Sequence, residues 1–438
     1  MSFDSIRPLR GTLYRREVVG DMARVIAPPY DVIGEEEQKV LLARSPYNIV
    51  RLILPLPGGA PEFWDQAAAL FSSWKREGVL GLDDGPGVYV YRQTFAHPAS
   101  GTLSRTGLLA AVRCTDLESG MVLPHERTFP RTRSQRLSLL RACRANFSQV
   151  FMVFRDPAGE VLELIERAVS AEPFLAFRDC EGMEHELWRM GYGAGAEEIC
   201  RRLEGRRLII ADGHHRYETA LAYAREDSAA YAAGHPRAFV SAVLFRSEDP
   251  GLLILPVHRV LRRLPLPARE TVRRLDGMFE VERVDDGEWR TGKGMPGGAG
   301  AETEGGRPVF HMLTREGAWR LVLREGVEAA ARPEEGSSAR WRRLDVSLLH
   351  SLVFGEALGM EAGELAEKGE LFFTPWEEEV AAALEGGAAE AAFMLRATSM
   401  EEIWEIAEGG ERMPHKSSYF HPKLPSGLVV YDHETAFP

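Results

Sequence analysis

A mixed α/β fold of the α+β kind is predicted for this 438-residue chain by three observations. Apolar segments of strand length alternate with amphipathic helix patterns, two strands are joined by a hairpin-type connection, and the last third turns more helical before closing on a strand. The length exceeds that at which a single hydrophobic core stops growing, so two domains are expected.

The first element is VIAPPYDVI, where Pro28 and Pro29 impose an extended, rigid entry before the acidic helix EEEQKVLLAR, which Ser45-Pro46 stops. NIVRLILP at 48–55 reads as a buried strand. FWDQAAALFSSWKREG follows as a helix with Phe63, Ala67, Leu70, Phe71 and Trp74 on one face and Gly78 at its end. VYVYRQTF at 88–95 alternates as a half-buried strand, with TGLLAAVRC at 106–114 as its hairpin partner. RTRSQRLSLLRACRANFS is a basic helix leading into the strand VFMVF, and the alternation runs on through AVSAEPFLAFRD and HELWRMG to RRLIIADGHHR.

At 285–308 the composition becomes glycine-rich and poor in apolar residues, which suits an exposed, mobile loop. HMLTREGAWRLVLRE after it reads as a hairpin able to complete a sheet begun before the loop, LDVSLLHSLVFGEALG opens the helical region, and SGLVVYD ends on a strand. The expected division is therefore a core at 1–285, the loop at 286–308, and a mixed α/β region at 309–438 that contributes to the cleft.

A formal net charge of -12 works against a protein that coats nucleic acid or acidic lipid. The four cysteines form no CxxC pair, so a zinc ribbon or disulfide scaffold is not suggested and a reducing cytoplasm fits. The N-terminal stretch has no secretory h-region, and no apolar run approaches the ~20 residues needed to cross a bilayer.

Four segments carry candidate chemistry. In LIIADGHHRYETALAYAR a strand ends in Asp-Gly, and Tyr217, Ala220, Leu221 and Ala224 mark a helix that starts near His214. Helix N-termini gather unpaired N–H groups and positive dipole charge, so His214, His215 and Arg216 lie where a phosphate is favoured. Gly213 allows close approach, Arg216 can clamp the anion, and Asp212 can hold Mg²⁺ or a substrate hydroxyl. The competing reading makes Asp212 a simple helix cap.

LPHERT places His125 beside Glu126, a pairing suited to deprotonating an alcohol, with a surface ion pair to Arg127 or Arg131 as the alternative. Phe129 breaks any HExxH pattern, which removes a zincin. MPHKSSYFHPK gathers Lys416, Ser417, Ser418, Tyr419, His421 and Lys423, a set that suits a carboxylate or phosphate but would equally suit a solvated loop. Tyr30 and Asp31 of APPYDVI either line the same cleft or serve the backbone only.

The strand followed by DGHHR and a helix resembles the ParB/sulfiredoxin-like superfamily, in particular the free serine kinases. Over the whole chain APPYDVI, LPHERT, IADGHHRYETA, LDVSLLH and MPHKSSYFHPKLPSGLV resemble the DUF1015 family, sometimes described as SerK-like. That resemblance implies a ParB/sulfiredoxin-like core in which the DGHHR motif faces nucleotide phosphates. One departure stands out: the family's PKADRL is PRTRSQRL here, with Gln135 at the acidic position and only Arg136 and Leu137 agreeing.

The expected activity is a phosphotransferase that uses ATP or ADP with Mg²⁺ on a small hydroxylated metabolite, free serine being the most specific acceptor. Glu126, His125 and Asp212 would be catalytic, and Gly213 to Arg216 would bind the nucleotide. A nucleotide-binding regulator and a metal-dependent phosphohydrolase are the alternatives. Nucleotide and a small substrate are the expected partners, without nucleic acid or membrane, and a homodimer is left open.

Overall fold

In the computed structural model the described residues are 4–55, 62–97, 101–126, 130–193, 195–284, 303–327 and 337–435, with side chains of 130–133 excluded. Contacts divide the chain into two units. The first comprises 1–124, 128–253 and 422–438; the second comprises 125–127 and 254–421. Both are mixed α/β.

The first unit is built on a nine-stranded sheet. Its order runs Val122–Pro124, Leu208–Asp212, Val150–Phe154, Phe239–Arg246, Gly101–Arg113, Gly87–His97, Glu184–Gly191 and Leu175–Arg178, with Ile6–Arg7 paired to Gly101–Arg113. Leu208–Asp212 is parallel to Val122–Pro124, and Phe239–Arg246 is parallel to Val150–Phe154; the other pairings are antiparallel. The expected hairpin is present, with Tyr89↔Leu109 through His97↔Gly101 in register.

Strand alternation gives this sheet two different faces. Val88, Val90, Leu108, Ala110, Val150, Met152, Leu208, Ile210, Ala242 and Leu244 join one core cluster with Val161, Ile199, Cys200, Tyr217, Ala220 and Ala224 from the helices Glu160–Val169, Ala196–Leu203 and His214–Arg225. The helix stripe read from Tyr217, Ala220, Leu221 and Ala224 is buried as expected. Phe151, Phe245 and Arg105 point the other way, with the Arg105 guanidinium 4.7 Å from one ring centre and 4.9 Å from the other.

The strand expected at 48–55 is instead a short helix, Val50–Ile53. Apolar runs of this length do not distinguish strand from helix by periodicity. Asn48 decides the matter. Its side-chain oxygen accepts from Val50 N at 3.0 Å, and its amide nitrogen donates to the carbonyls of Arg24 and Ile26. The expected strand SGLVVYD is reduced to Tyr431–Asp432, paired with Ala145–Asn146.

The second unit holds a seven-stranded sheet ordered Phe279–Val284, Gly317–Leu323, Arg307–Thr314, Ala391–Met394, His258–Leu261 and Leu371–Thr374, with Thr303–Glu304 paired to Arg307–Thr314. The hairpin predicted after the glycine-rich stretch completes the sheet begun by Phe279–Val284. Most of that stretch, 285–302, lies outside the described residues. LDVSLLH opens the helix Asp345–Leu348, which continues as a π-helix over Leu349–Ala357. No helix among the described residues is long and apolar enough to cross a membrane, and their four cysteines are unpaired.

Candidate functional site

In the first unit the site begins with an irregularity in the strand Leu208–Asp212. Its register against Val150–Phe154 shifts between Ile210 and Asp212, so Ala211 is an extra residue. A one-residue bulge reverses the face on which the following side chain emerges. Asp212 therefore lies opposite Phe151, on the face away from the core cluster that takes Ile210.

Gly213 follows at φ +89°, a conformation that disfavours a side chain, and a Cβ there would stand 2.8 Å from Nε of Arg216. The helix His214–Arg225 then starts, with Tyr217 N bonded to Gly213 O at 3.0 Å. His214, His215 and Arg216 occupy its first turn, as the sequence predicts.

Asp212 is held between two cations. Its Oδ1 accepts from Lys423 Nζ at 2.6 Å and its Oδ2 from Arg216 Nη2 at 2.6 Å, while Arg216 Nη1 donates to the carbonyl of Gln149. Burial by itself raises the carboxyl, but Lys423 and Arg216, with a smaller contribution from His214, outweigh it and hold the group down at about 2. The carboxylate thus fixes the direction of both cations.

In this geometry both oxygens of the Asp212 carboxylate, read from the sequence as a metal ligand, are engaged by cations. An added Mg²⁺ would meet the charges of Lys423 and Arg216 at this carboxylate. The residues present do not fit a protein-held Mg²⁺ at this position. Asp212 is a half-buried ion-pair partner whose two oxygens accept from the side chains of Arg216 and Lys423.

Lys423 is positioned from behind. Gln93 and Arg105 oppose each other across the hairpin, and Gln93 Oε1 accepts from Arg105 Nε at 3.2 Å and Nη2 at 2.7 Å. Arg105 Nη2 also donates to the carbonyl of Pro422, and Gln93 Nε2 to that of Lys423 at 3.3 Å. Burial lowers the fully buried Arg105 guanidinium to about 10, with Tyr91, Asp249 and Asp212 holding it up. Sequence reading did not single out this pair. The available signal was a charged residue on a strand otherwise rich in apolar side chains.

Tyr30 also belongs to this unit's polar region. Its ring lies 3.8 Å from the Arg136 guanidinium, and burial together with Asp31 raises its hydroxyl against the opposing effect of Arg136 and Arg216. Asp31 is exposed.

The second unit gathers a separate cluster. His125 and Glu126 follow the strand Val122–Pro124, and Glu126 forms a parallel bridge with Met413 while Met413 N donates to His125 O at 2.8 Å. Glu126 Oε1 accepts from Ser417 N at 3.0 Å, Ser418 N at 2.9 Å and Ser418 Oγ at 3.0 Å. His125 Nε2 is 2.7 Å from Ser418 Oγ and 3.6 Å from Glu126 Oε1. Two segments almost three hundred residues apart thus meet in one hydrogen-bonded group. The side chains of Arg127 and Arg131, weighed as ion-pair partners, lie outside the described residues.

Lys416 is exposed at φ +59°, and Tyr419 and His421 stack on each other beside Trp376. MPHKSSYFHPK is therefore divided: Lys416 to His421 belong to the second unit and Lys423 to the first. Arg259, also not singled out from the sequence, is fully buried behind Glu126. Its Nε is 3.3 Å from His350 Nε2, and burial lowers it to about 9 while Glu126 opposes that shift. The π-helix supplies His350, an arrangement often found at functional positions.

Comparison with known proteins gives one family match, to the model described as "Protein of unknown function (DUF1015)", over residues 6–347. No curated protein matches. Among solved structures, a conserved hypothetical protein from Pyrococcus furiosus is 14% identical with a TM-score of 0.33, over 75% of this chain and 97% of that one. A free serine kinase in complex with AMP is 14% identical with a TM-score of 0.36, over 75% and 93% respectively. SbnI with a C-terminal truncation, from Staphylococcus aureus, is 12% identical with a TM-score of 0.35, over 73% and 86%.

Proposed function

For this chain, which belongs to the DUF1015 family, we propose a nucleotide-dependent phosphotransferase that acts on a small hydroxylated metabolite, free serine being the most specific acceptor. The observation that carries the reading is the joint fixation of Arg216 and Lys423 by Asp212 at a helix N-terminus whose preceding residue is a left-handed glycine. Backbone N–H groups, a guanidinium and an ammonium there present positive charge to the phosphates of ATP or ADP.

Glu126 is assigned the acceptor's hydroxyl proton. The hydroxyl oxygen then bonds to the terminal phosphorus, and the bond from that phosphorus to the nucleotide's bridging oxygen breaks, leaving ADP from ATP or AMP from ADP. Two backbone amides and the Ser418 hydroxyl donate to one oxygen of Glu126 and fix the direction of its carboxyl group. Mg²⁺ is given no ligand from this chain.

The deciding experiment is calorimetry with ADP and ATP on the wild type and on Arg216→Ala, followed by a phosphate-transfer assay with serine. Loss of one charge-assisted contact should weaken nucleotide binding by about 1.5–3 kcal/mol. Equal affinity in the two proteins would remove the cradle from the mechanism. A tight-binding nucleotide with no acceptor turned over would leave the regulator.

A further inference from the structure

The first unit contains a cavity of about 60 Å³ whose lining includes Tyr30, Arg136, Leu140, Ser148, Arg216 and Thr219. On this measure one water needs roughly 10–15 Å³, so the void suits a tetrahedral oxyanion in bulk. Apolar residues form more than half of the lining, and two of its polar groups lack a partner. Arg136 is 7% exposed and Thr219 2%, yet Arg136 Nε and Thr219 Oγ1 are buried without a hydrogen-bond partner.

The bonds that Arg136 does make hold it in place without neutralising it. Nη1 donates to the carbonyl of Ile53 at 2.7 Å, and the guanidinium lies over the Tyr30 ring at 3.8 Å. Among the described residues no carboxylate comes within ion-pair distance of Arg136, and the one paired with Arg216 is Asp212, which also serves Lys423. Burial is the main effect that lowers Arg136, to about 10, and the neighbouring Arg216 adds to it, while Tyr30 and Asp31 offset part. Two guanidiniums sharing one small space, with unsatisfied donors, is an arrangement an anion relieves.

We infer that this cavity is an oxyanion site for a phosphate group, with Arg136 and Thr219 as its ligands beside Arg216. The inference deepens the phosphotransferase reading by giving the cradle a second arginine and a hydroxyl, and its nucleotide arm rests on that reading. The ligand chemistry is a tetrahedral phosphate, whether carried by a nucleotide or free in solution.

The test is a titration of the full chain with inorganic phosphate, by calorimetry and thermal shift, on wild type, Arg136→Met, Arg136→Lys and Thr219→Val. Saturable binding is expected, weakened roughly tenfold or more by Arg136→Met and less by Thr219→Val and Arg136→Lys. No phosphate binding by the wild type, or equal affinity in folded Arg136→Met and Thr219→Val, overturns the inference. If Arg136→Met does not fold, the near-isosteric Thr219→Val decides alone.

Competition with ADP separates the sources. Phosphate displaced by ADP assigns the cavity to a nucleotide phosphate, and simultaneous binding assigns it to a free one; either supports the site. Phosphate binding that depends on Arg136 in a protein blind to ADP and ATP would sink the nucleotide reading and leave the oxyanion site standing.

Discussion

Lys423 Nζ lies 2.6 Å from Asp212 Oδ1, an ion pair between residues 211 positions apart. Both side chains are 15% exposed, and Arg216 occupies the second carboxylate oxygen. The pair is therefore screened little by solvent, and its removal has consequences for charge, stability and binding together.

Lys423→Met should raise the Asp212 carboxyl above its present value near 2. A depressed carboxyl contributes stability at pH values above its unfolded value of about 3.9, and that contribution is lost as pH falls through the folded value. The variant should lose about 2 kcal/mol at pH 7, and its acid unfolding should begin at higher pH. Urea unfolding as a function of pH, with NMR titration of Asp212, checks both. An unchanged carboxyl would show that Arg216 alone sets it.

Gly213→Ala places a side chain at φ +89° against Arg216 Nε. It should cost about 1–3 kcal/mol of stability and loosen the guanidinium that faces the proposed phosphate. Nucleotide affinity should fall with it. Wild-type stability and affinity in the alanine variant would show that the turn relaxes freely.

Glu126→Gln keeps an oxygen able to accept from Ser417 N and Ser418 N, while removing the proton acceptor. If Glu126 is the base, turnover should fall ~10²–10⁴-fold with nucleotide binding unchanged. A loss below about tenfold would move Glu126 to a structural role. His125→Gln should be milder if His125, which contacts Ser418 Oγ, only orients the group; the more damaging outcome would exchange the two roles.

Arg105→Met leaves Gln93 Oε1 and the Pro422 carbonyl without a buried donor. A loss of about 3 kcal/mol is expected in urea unfolding, together with a rise of the Asp212 carboxyl as Lys423 loosens. Gln93→Leu should act in the same direction. A stability loss without any movement of the Asp212 titration would separate the C-terminal segment's packing from the site.

The helix after DGHHR was legible because its information is local: an apolar stripe at helical spacing, a glycine before it and a strand before that. The hairpin at 88–114 and the one at 311–325 were legible for the same reason. NIVRLILP was misread because periodicity in a short buried run is ambiguous, and the residue that resolves it, Asn48, acts through hydrogen bonds to Arg24 and Ile26. The candidate site was legible as residue types and not as groupings. His125 and Glu126 lie in one motif and Ser418 in another, and nothing in either motif specifies which oxygen meets which nitrogen.

By itself the sequence determined the mixed α/β class and the position of the helix start at His214, since each depends on side-chain pattern within about twenty residues. Tertiary structure alone decided that Ala211 is an extra residue that turns Asp212 off the core face, and that Lys423 arrives there on a backbone held by Gln93 and Arg105. It also brought Arg136, Arg216 and Thr219 around one cavity. Burial depends on the whole sheet and its covering helices, and a buried charge keeps its ionised form only through partners that distant parts of the chain supply.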